Sequence, residues 1–398
     1  MTLNESAMLP LCWTAAAVIL LGVLVLRGVL PVRVALGIML VKVGIAVAFA
    51  LFGDPEPWGL LDDVKYFRQG LEFVTRDGNP FTFFLDSERV FRLVAMSEGL
   101  HVLYGWYNYL MQWLVGPYYF APVLGNVFMT AVGAAGLHRL VLEAGAPREE
   151  ARWTTVAFLL YWDVIAWSSF INVKDNMVLM LTILLLLAYA RLAHGITRGR
   201  VLAIVAISAL FIVLRFYVGV LALSAFVLTS ASARGAIARH RWRLLALGVV
   251  LGGVLYAVVG RGLLALAWSK LDVEPGSMLF GVVRILLTPQ PWSLESNYEY
   301  LLIPSTLHAL ALVPALAGIS SLWRRLPGAR LVVAYYALVV LVFASFPWQQ
   351  GPRHRYQAVF VLVWGLVHLV REVLPAVVAW SRGATPSAVG ALPEHRTP

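Results

Sequence analysis

Lys174 and Asp175 stand side by side immediately before an apolar run, residues 176–193, that is long enough to cross a lipid bilayer. Charge beside hydrocarbon costs free energy unless the side chains are solvated or paired. A lysine can bind an anionic group and a carboxylate can accept a proton, so the pair is a candidate site for chemistry. For each residue taken alone, a solvated helix end is the alternative reading.

Two other stretches carry acid and base in patterns that suit the same chemistry. The first, "DDVKYF", places Asp62 and Asp63 where either carboxylate would serve as a general base toward a hydroxyl group. The second, "GPRHRY", places Arg353 and Arg355 at i and i+2. In an extended segment, both guanidinium groups would face one side and bind a phosphate or pyrophosphate. Helix capping is the alternative role of the two aspartates.

The composition indicates which elements must position these residues. Of 398 residues, 60% are hydrophobic and 13% are charged, and the mean hydropathy is +0.79. Ordinary soluble domains are far less apolar, so the sequence predicts a polytopic membrane protein. The single cysteine, Cys12, leaves neither a disulfide framework nor a cysteine-based metal site available.

The apolar blocks predict an all-α fold of about eleven membrane-spanning helices, because lipid offers the backbone no other hydrogen-bond partner. The predicted spans are residues 9–26, 34–53, 118–137, 153–171, 176–193, 201–214, 217–230, 244–260, 301–320, 331–347 and 356–377. They form one polytopic domain over residues 1–380, which precedes a predicted disordered cytoplasmic tail over residues 381–398.

Arginines in the short loops set the predicted orientation, with the N-terminus outside. They gather at one end of the alternating spans, which is then cytoplasmic: Arg27, Arg33, Arg139, Arg148, Arg152, Arg191, Arg198, Arg200, those of residues 234–243, Arg324, Arg325, Arg330 and Arg371. The net charge of +10 is therefore a topology signal, and no basic soluble domain is present to bind nucleic acid. Residues 54–117 and 261–300 become outward loops of a plasma (inner) membrane protein, with the candidate site on the outer side.

Arg215 interrupts the apolar segment 201–230. One long helix would place the flanking basic loops on opposite sides, so two short helices of about 14 residues, each roughly 21 Å long against about 30 Å of hydrocarbon, are favoured. The turn between them would hold Arg215 below the outer surface, facing a wet cavity. Lys42 and Asp163 also lie inside predicted spans and would form an ion pair or line the cavity.

The outward loop contains two predicted interfacial helices. In "GLLDDVKYFRQGLEFV" the apolar residues recur at helical spacing, and Asp62, Tyr66 and Gln69 share another face that would present a carboxylate and a phenol over the membrane domain. "GLHVLYGWYNYLMQWLVG" is rich in Trp and Tyr, suits the interfacial belt and contains His101, a further candidate for substrate binding. No second metal ligand follows His101 or His354 at i+3 or i+4, and a divalent cation on the two aspartates stays open.

The order and spacing of these stretches resemble a known family. "DDVKYF", then "HVLYGWYNYLMQWLVGPYYFAPVLGNVFMTAVGAAGLHRLVLEAG", then "FLLYWDVIAWSSFINVKDNMVLMLTILLLLAYARL" is similar to the N-terminal half of bacterial GT-C type integral membrane glycosyltransferases. Those enzymes resemble family 39 mannosyltransferases and the lipid A aminoarabinose transferase. The stretches "RILLTPQPWSLESNYEYLLIPSTLHALALVPALAG" and "GPRHRYQAVFVLVWGLVHLV" resemble segments of related proteins of exopolysaccharide or O-antigen assembly.

The resemblance implies a polyprenyl-phosphate sugar donor used at the outer face, with a glycan, lipid or protein acceptor. The motif positions that it implies are Asp62, Asp63, Asp175, Arg353, Arg355 and Tyr356. The remaining candidates for substrate binding are Lys174, Arg215, Tyr66 and His101. No cofactor is predicted apart from the open question of a divalent metal.

Three functions follow as hypotheses. The first is an inverting glycosyltransferase of cell-envelope or exopolysaccharide assembly, in which an aspartate is the base and the arginines hold phosphate. The second is an O-antigen or exopolysaccharide polymerase or ligase that acts on polyprenyl-pyrophosphate glycans, with arginines doing most of the chemistry. The third is a flippase or transporter of lipid-linked oligosaccharides, whose spans are typically paired repeats with interrupted helices. The long acid-rich first loop favours an enzyme.

The predicted orientation can be tested by thiol labelling. In a Cys12→Ser background, single cysteines at Asp77 and at Arg239 should differ in intact cells, because the arginine bias puts position 77 outside and position 239 inside. An impermeant thiol reagent should label only position 77 until the membrane is permeabilised. Labelling of position 239 in intact cells, or none at position 77, would reverse the arrangement.

Overall fold

The computed structural model describes residues 5–53, 62–77, 79–97, 101–230, 278–294, 296–346 and 351–375. Over these ranges the chain is all-helical and contains no strand, as the apolar blocks predict. The predicted span 244–260 and the predicted tail 381–398 lie outside the described residues, as do the beginnings of both predicted outward loops.

Sixteen α-helices of the described residues are numbered in chain order. They are α1 Glu5–Leu26, α2 Val32–Phe52, α3 Asp62–Asp77, α4 Ser87–Met96, α5 Val102–Val115, α6 Phe120–Glu143, α7 Arg148–Leu160, α8 Trp162–Ser169, α9 Asp175–Ala193, α10 Arg198–Ile212, α11 Phe216–Thr229, α12 Met278–Leu287, α13 Leu302–Arg325, α14 Arg330–Ala344, α15 Pro352–Tyr356 and α16 Val359–His368. Short 3-10 helices occupy Phe83–Leu85, Ser296–Leu301 and Pro327–Ala329, and α16 continues into a π-helical turn, Leu369–Val373.

Six helical segments among the described residues are long and apolar enough to cross a membrane. They are Glu5–Leu26, Val32–Phe52, Phe120–Glu143, Asp175–Ala193, Glu299–Arg325 and Pro327–Ala344. The coarse prediction of a multi-pass helical chain therefore agrees with the structure. The finer prediction of about eleven crossings and an outward loop stays a prediction.

Helix α6 forms the centre of the bundle and packs against α1, α7 and α9. Small residues allow the close approach of α9, because Gly133 and Gly136 face Met180, Ile183 and Leu184 without an intervening side chain. Close packing of small residues is the main source of helix association where lipid removes the hydrophobic driving force. This packing fixes α9, and therefore the position of its first residues.

Two helix interruptions stand out within the described bundle. α7 and α8 are separated at Tyr161, whose backbone is extended, and α10 and α11 are separated at Arg215, which has φ −161° and ψ 82°. The second break is the one that the sequence predicted, with two short helices in place of one. An interruption frees backbone groups and allows a polar side chain to reach them.

Helices α3, α4 and α5 form a smaller unit with its own core. Phe73, Phe83, Leu93, Val102 and Tyr109 are buried together there. The predicted helix that begins at the two aspartates is present. Tyr66 and Gln69 on its polar face are both buried against the rest of the protein. Its predicted position at the membrane interface stays a prediction.

Gly318 and Gly365 mark the closest backbone approach between α13 and α16. A methyl group built on Gly318 would lie 1.8 Å from the carbonyl oxygen of Gly365. We therefore expect Gly318→Ala to destabilise the protein by about 1–3 kcal/mol, the usual cost of overpacking. Thermal unfolding in detergent checks this, with Gly44→Ala as the control because that position has no atom within 4 Å. An equal midpoint in the two variants would contradict this packing.

Candidate functional site

The link between α8 and α9, residues 170–174, is the point where the predicted site residues come together. Asn172 anchors it: its side-chain oxygen accepts a hydrogen bond from the hydroxyl of Tyr104 (2.7 Å), and its amide donates to Oδ1 of Asn108 (2.6 Å). The Asn126 side chain donates to the same Tyr104 hydroxyl at 3.1 Å. Because these groups are all buried, the network fixes the link against α5 and α6.

Asp63 lies in the first turn of α3 and is fully buried. Oδ2 accepts a hydrogen bond from the Tyr119 hydroxyl at 2.7 Å, and the backbone carbonyl accepts from the side chain of Asn172 at 3.3 Å. Oδ1 has no hydrogen-bond partner within the described residues. Burial raises the pKa of Asp63, opposed by the Tyr119 hydrogen bond and by the charge of Arg353.

Lys174 is buried at the start of α9 and faces Tyr66 of α3. Its Nζ donates to the Tyr66 hydroxyl at 2.5 Å and lies 5.0 Å from the ring centroid. Tyr66 also makes edge contacts with the rings of His101 and Tyr104. His101 in turn contacts the carbonyl oxygen of Leu214 through Nδ1 at 3.2 Å. Three of the predicted substrate-binding residues are therefore neighbours, and they join α3 and α9 to the helix break before α11.

Asp175 and Arg215 form a buried ion pair with 2.8 Å between Oδ1 and Nη1. The sequence predicted that Arg215 would face a wet cavity. The structure places a carboxylate from α9 beside the guanidinium, and the cavity itself stays a prediction. The approach lacks the angle of a hydrogen bond. Within the described residues both carboxylate oxygens of Asp175, and Nη1 of Arg215, therefore have no hydrogen-bond partner.

Arg353 and His354 approach the same carboxylates from the C-terminal part of the chain. Arg353 acts electrostatically on both Asp63 and Asp175. Burial among neighbouring cations lowers the pKa of His354 to about 3, so its imidazole is neutral at physiological pH. Its Nδ1 has no hydrogen-bond partner within the described part of the chain.

The extended form of "GPRHRY", in which both guanidinium groups would face one side, does not occur, because residues 352–356 form a short helix that begins with a proline. Residues at i and i+2 diverge on a helix. Arg355 consequently points away from Arg353 and forms a separate buried ion pair with Asp163, 2.7 Å between Nη2 and Oδ2. The neighbouring Tyr356 donates to Oδ1 of Asn176 at 2.7 Å. The two arginines therefore do not form one fork for a pyrophosphate.

The sequence left Lys42 and Asp163 either as an ion pair or as lining of the cavity, and the structure gives the two side chains different partners. The Lys42 ammonium donates to Ser168 Oγ at 3.1 Å and to the carbonyl oxygen of Leu159 at 3.3 Å. That carbonyl lies next to the helix break at Tyr161. Lys42 therefore satisfies backbone left open by the interruption.

The site also contains residues that the sequence pattern did not single out. Tyr119 and Asn172 hold Asp63 and the α8–α9 link, and their signal in the sequence is weak because each is a single uncharged polar residue in an apolar surrounding. The side chain of the alternative base, Asp62, lies outside the described residues. Within those residues no group of three metal-ligating side chains occurs, so the predicted divalent cation stays an open prediction.

Comparison with models of protein families, with curated proteins and with solved structures gives no match to this chain. The function is therefore argued from the geometry of this cluster and from the pattern of the sequence.

The buried ion pair between Asp175 and Arg215 predicts a specific pattern of stability. Arg215→Gln or Asp175→Asn alone leaves an uncompensated buried charge, which costs about 3–5 kcal/mol. The double variant removes both charges and should recover much of that loss. Thermal midpoints in detergent check this, with Arg76→Gln as the control, because its i,i+4 pair with Glu72 is exposed and is worth about 0.5 kcal/mol or less. Strictly additive losses in the double variant would show that the two charges are not coupled.

Proposed function

We propose that this protein is a membrane-embedded glycosyltransferase that moves a sugar from a polyprenyl-phosphate donor to an acceptor hydroxyl. The reaction takes place at the cluster formed by Asp63, Lys174, Asp175, Arg215 and Arg353, on the outer side of the plasma membrane. Its product serves cell-envelope or exopolysaccharide assembly. The resemblance to GT-C enzymes supports this, and so does the unfilled hydrogen-bonding capacity of the cluster.

The observation that carries the proposal is that unfilled capacity. Oδ1 of Asp63, Oδ2 of Asp175 and Nδ1 of His354 are buried without hydrogen-bond partners within the described residues, whereas Oδ1 of Asp175 and Nη1 of Arg215 contact each other as an ion pair. Folded proteins satisfy nearly all such groups, so three together at one place support a polar ligand or ordered water. Carboxylate oxygens accept hydrogen bonds and a histidine nitrogen can accept or donate one, which suits a ligand that carries hydroxyl groups.

In the proposed reaction, the side chains of the cluster have separate roles. Asp63 takes the proton from the acceptor hydroxyl as that oxygen attacks the anomeric carbon of the donor sugar. The bond between this carbon and the phosphate oxygen breaks, and polyprenyl phosphate leaves with the electron pair. Attack opposite to the leaving group inverts the anomeric configuration. Lys174 and Arg353 stabilise the negative charge that grows on the departing phosphate.

The polymerase or ligase hypothesis has less support from the arginines. Arg215 and Arg355 each pair with a buried carboxylate, so neither presents an uncompensated charge to a phosphate. A mechanism in which arginines do most of the chemistry would be better served by arginines without carboxylate partners.

Transport is favoured by one observation, the helix breaks at Tyr161 and Arg215. Interrupted helices at membrane depth are typical of transporters. In this protein the breaks are filled by Lys42 and by Asp175, which gives each a structural role. The two functions differ in one measurement, since only a transferase releases free polyprenyl phosphate.

Asp63→Asn should lower the rate of sugar transfer by about 10² to 10⁴, because the amide keeps the shape of the side chain but cannot accept the proton. The protein in lipid nanodiscs would be given a panel of polyprenyl-phosphate sugars, and release of polyprenyl phosphate would be measured. Glu88→Gln, an exposed carboxylate of α4, is the control and should keep full activity. Loss in Asp62→Asn together with full activity in Asp63→Asn would move the base to Asp62.

The pH dependence tests the same assignment through Tyr119. Asp63 must be ionised to act as base, and burial raises its pKa. The rate of sugar transfer should therefore rise with pH, and this rising limb of the pH profile should lie above the usual pKa range of carboxyl groups. Tyr119→Phe removes a hydrogen bond that favours the ionised carboxylate. The limb should therefore move to higher pH, whereas Tyr118→Phe, whose hydroxyl donates to the Ser6 carbonyl, should leave it in place. If the rising limb of the pH profile lies at the same pH in Tyr119→Phe as in the unchanged protein, Asp63 is not the base.

A further inference from the structure

A group of large apolar side chains is exposed on the unit formed by α3, α4 and α5. Leu85 is 86% exposed and Phe91 is 74% exposed, although both lie beside a well-packed core. The group, called here the apolar patch, consists of Phe81, Phe84, Leu85, Phe91, Trp113 and Leu114. Exposed apolar groups of this size mark a surface that meets a partner or a membrane.

Ring contacts support two of the exposed phenylalanines of the patch. The ring of Phe81 meets that of Trp113 edge-on at 5.7 Å, and the ring of Phe84 packs against Trp106 at 5.5 Å. Beneath them the buried core of the same unit, which includes Phe83, supports the surface. An aromatic surface that is supported by a buried core keeps a fixed shape. Such a surface favours contact with a defined environment and differs from a loop tip that extends into water.

Charged groups around the patch are paired locally. Asp86 caps α4 through its side chain and pairs with Arg89 at 2.9 Å, and Arg92 pairs with Glu88 at 3.3 Å. Aromatic and aliphatic groups beside neutralised charges are typical of a segment at the level of lipid headgroups. The arginine stems can lie along the apolar surface while their charged ends stay hydrated.

One edge of the patch adjoins the candidate spans. Trp113 and Leu114 lie in the last turn of α5, and the chain then turns at Gly116, which has φ +117°, before the candidate span that begins at Phe120. At this turn the Tyr118 hydroxyl donates to the carbonyl of Ser6, in the first turn of another candidate span, α1. This edge of the patch therefore lies close to the N-terminal ends of two candidate spans. Helix α1 also exposes apolar residues near this end, Leu9 and Trp13.

We propose that the apolar patch inserts into the leaflet of the bilayer that meets the N-terminal ends of α1 and α6. The patch contacts the boundary between lipid headgroups and acyl chains. This contact anchors the α3–α5 unit beside the spans. The sequence pattern placed an interfacial role on the apolar stripe of α3 and on the aromatic helix α5. In the structure the exposed apolar side chains come from α5, from α4 and from the residues before α4. The anchoring does not depend on the proposed reaction.

The anchor has a consequence for α3. The patch and the base candidate Asp63 belong to one packed unit, because α3 and α5 share the core of Phe73 and Tyr109. Insertion of the patch therefore fixes the height of Asp63 relative to the headgroups. A phosphate at the end of a lipid tail lies in that layer.

Depth-dependent quenching tests the proposal on the full chain. In the Cys12→Ser background, Leu85→Cys or Phe91→Cys would carry an environment-sensitive fluorophore, nitrobenzoxadiazole, in vesicles of phosphatidylethanolamine and phosphatidylglycerol. Lipids with a nitroxide near the headgroup should remove roughly half or more of the emission at both sites, and aqueous iodide should remove little. Thr75→Cys, on the exposed face of α3, is the matched control and should show the reverse.

Two results would overturn the insertion. Iodide quenching at positions 85 and 91 as strong as at position 75 would place the patch in water. Protection from both iodide and the nitroxide lipid would show that protein covers the patch, either a second copy or another part of this chain. Because both residues are exposed and only one is needed for the result, a folding defect in one variant leaves the other to decide.

Discussion

A polar group inside a bundle of apolar helices must find a partner within the protein, and this constraint organises the structure around the α8–α9 link. The link leaves the helical ladder, so its backbone and side chains need partners from elsewhere. Asn172 receives them from α5 and contacts the backbone of α3. Helices that are distant in sequence therefore meet at this link, because there the polar groups of each helix form hydrogen bonds with those of the others.

The two buried ion pairs follow the same logic with charges. In each pair the carboxylate stands in the first turn of a helix, Asp163 in α8 and Asp175 in α9, where the helix dipole favours it. In each pair the arginine comes from an irregular place: Arg215 from a helix break and Arg355 from a short helix. Such pairs add little net stability compared with apolar packing, but an arrangement of helices that separates the partners leaves a buried charge uncompensated. The pairs therefore specify which segments pack together.

Periodicity and composition predicted an all-helical chain and the break at Arg215, because both depend on local patterns of apolar and charged residues. They did not predict the break at Tyr161, which divides the predicted span 153–171 into two helices. The partners could not be predicted in this way. Lys42 and Asp163 have opposite charges within predicted spans, but in the packed structure each binds a different partner. Tertiary geometry decides pairing, and Tyr119 became important only because the turn before α6 brings its hydroxyl to a carboxylate of α3.

In the proposed reaction, the formal charges of the described cluster would stay balanced. Among the described side chains, the three basic groups Lys174, Arg215 and Arg353 lie with two acidic ones, Asp63 and Asp175. With both carboxylates ionised, this leaves one formal positive charge, which the single negative charge of a sugar phosphodiester would balance. If Asp63 took the proton, the cluster would gain one positive charge, while the departing phosphate monoester would gain one negative charge and approach about −2. Where water is scarce, charges that stay balanced before and after the step need the least reorganisation, and a carboxylate that starts without a partner on Oδ1 can receive the proton there.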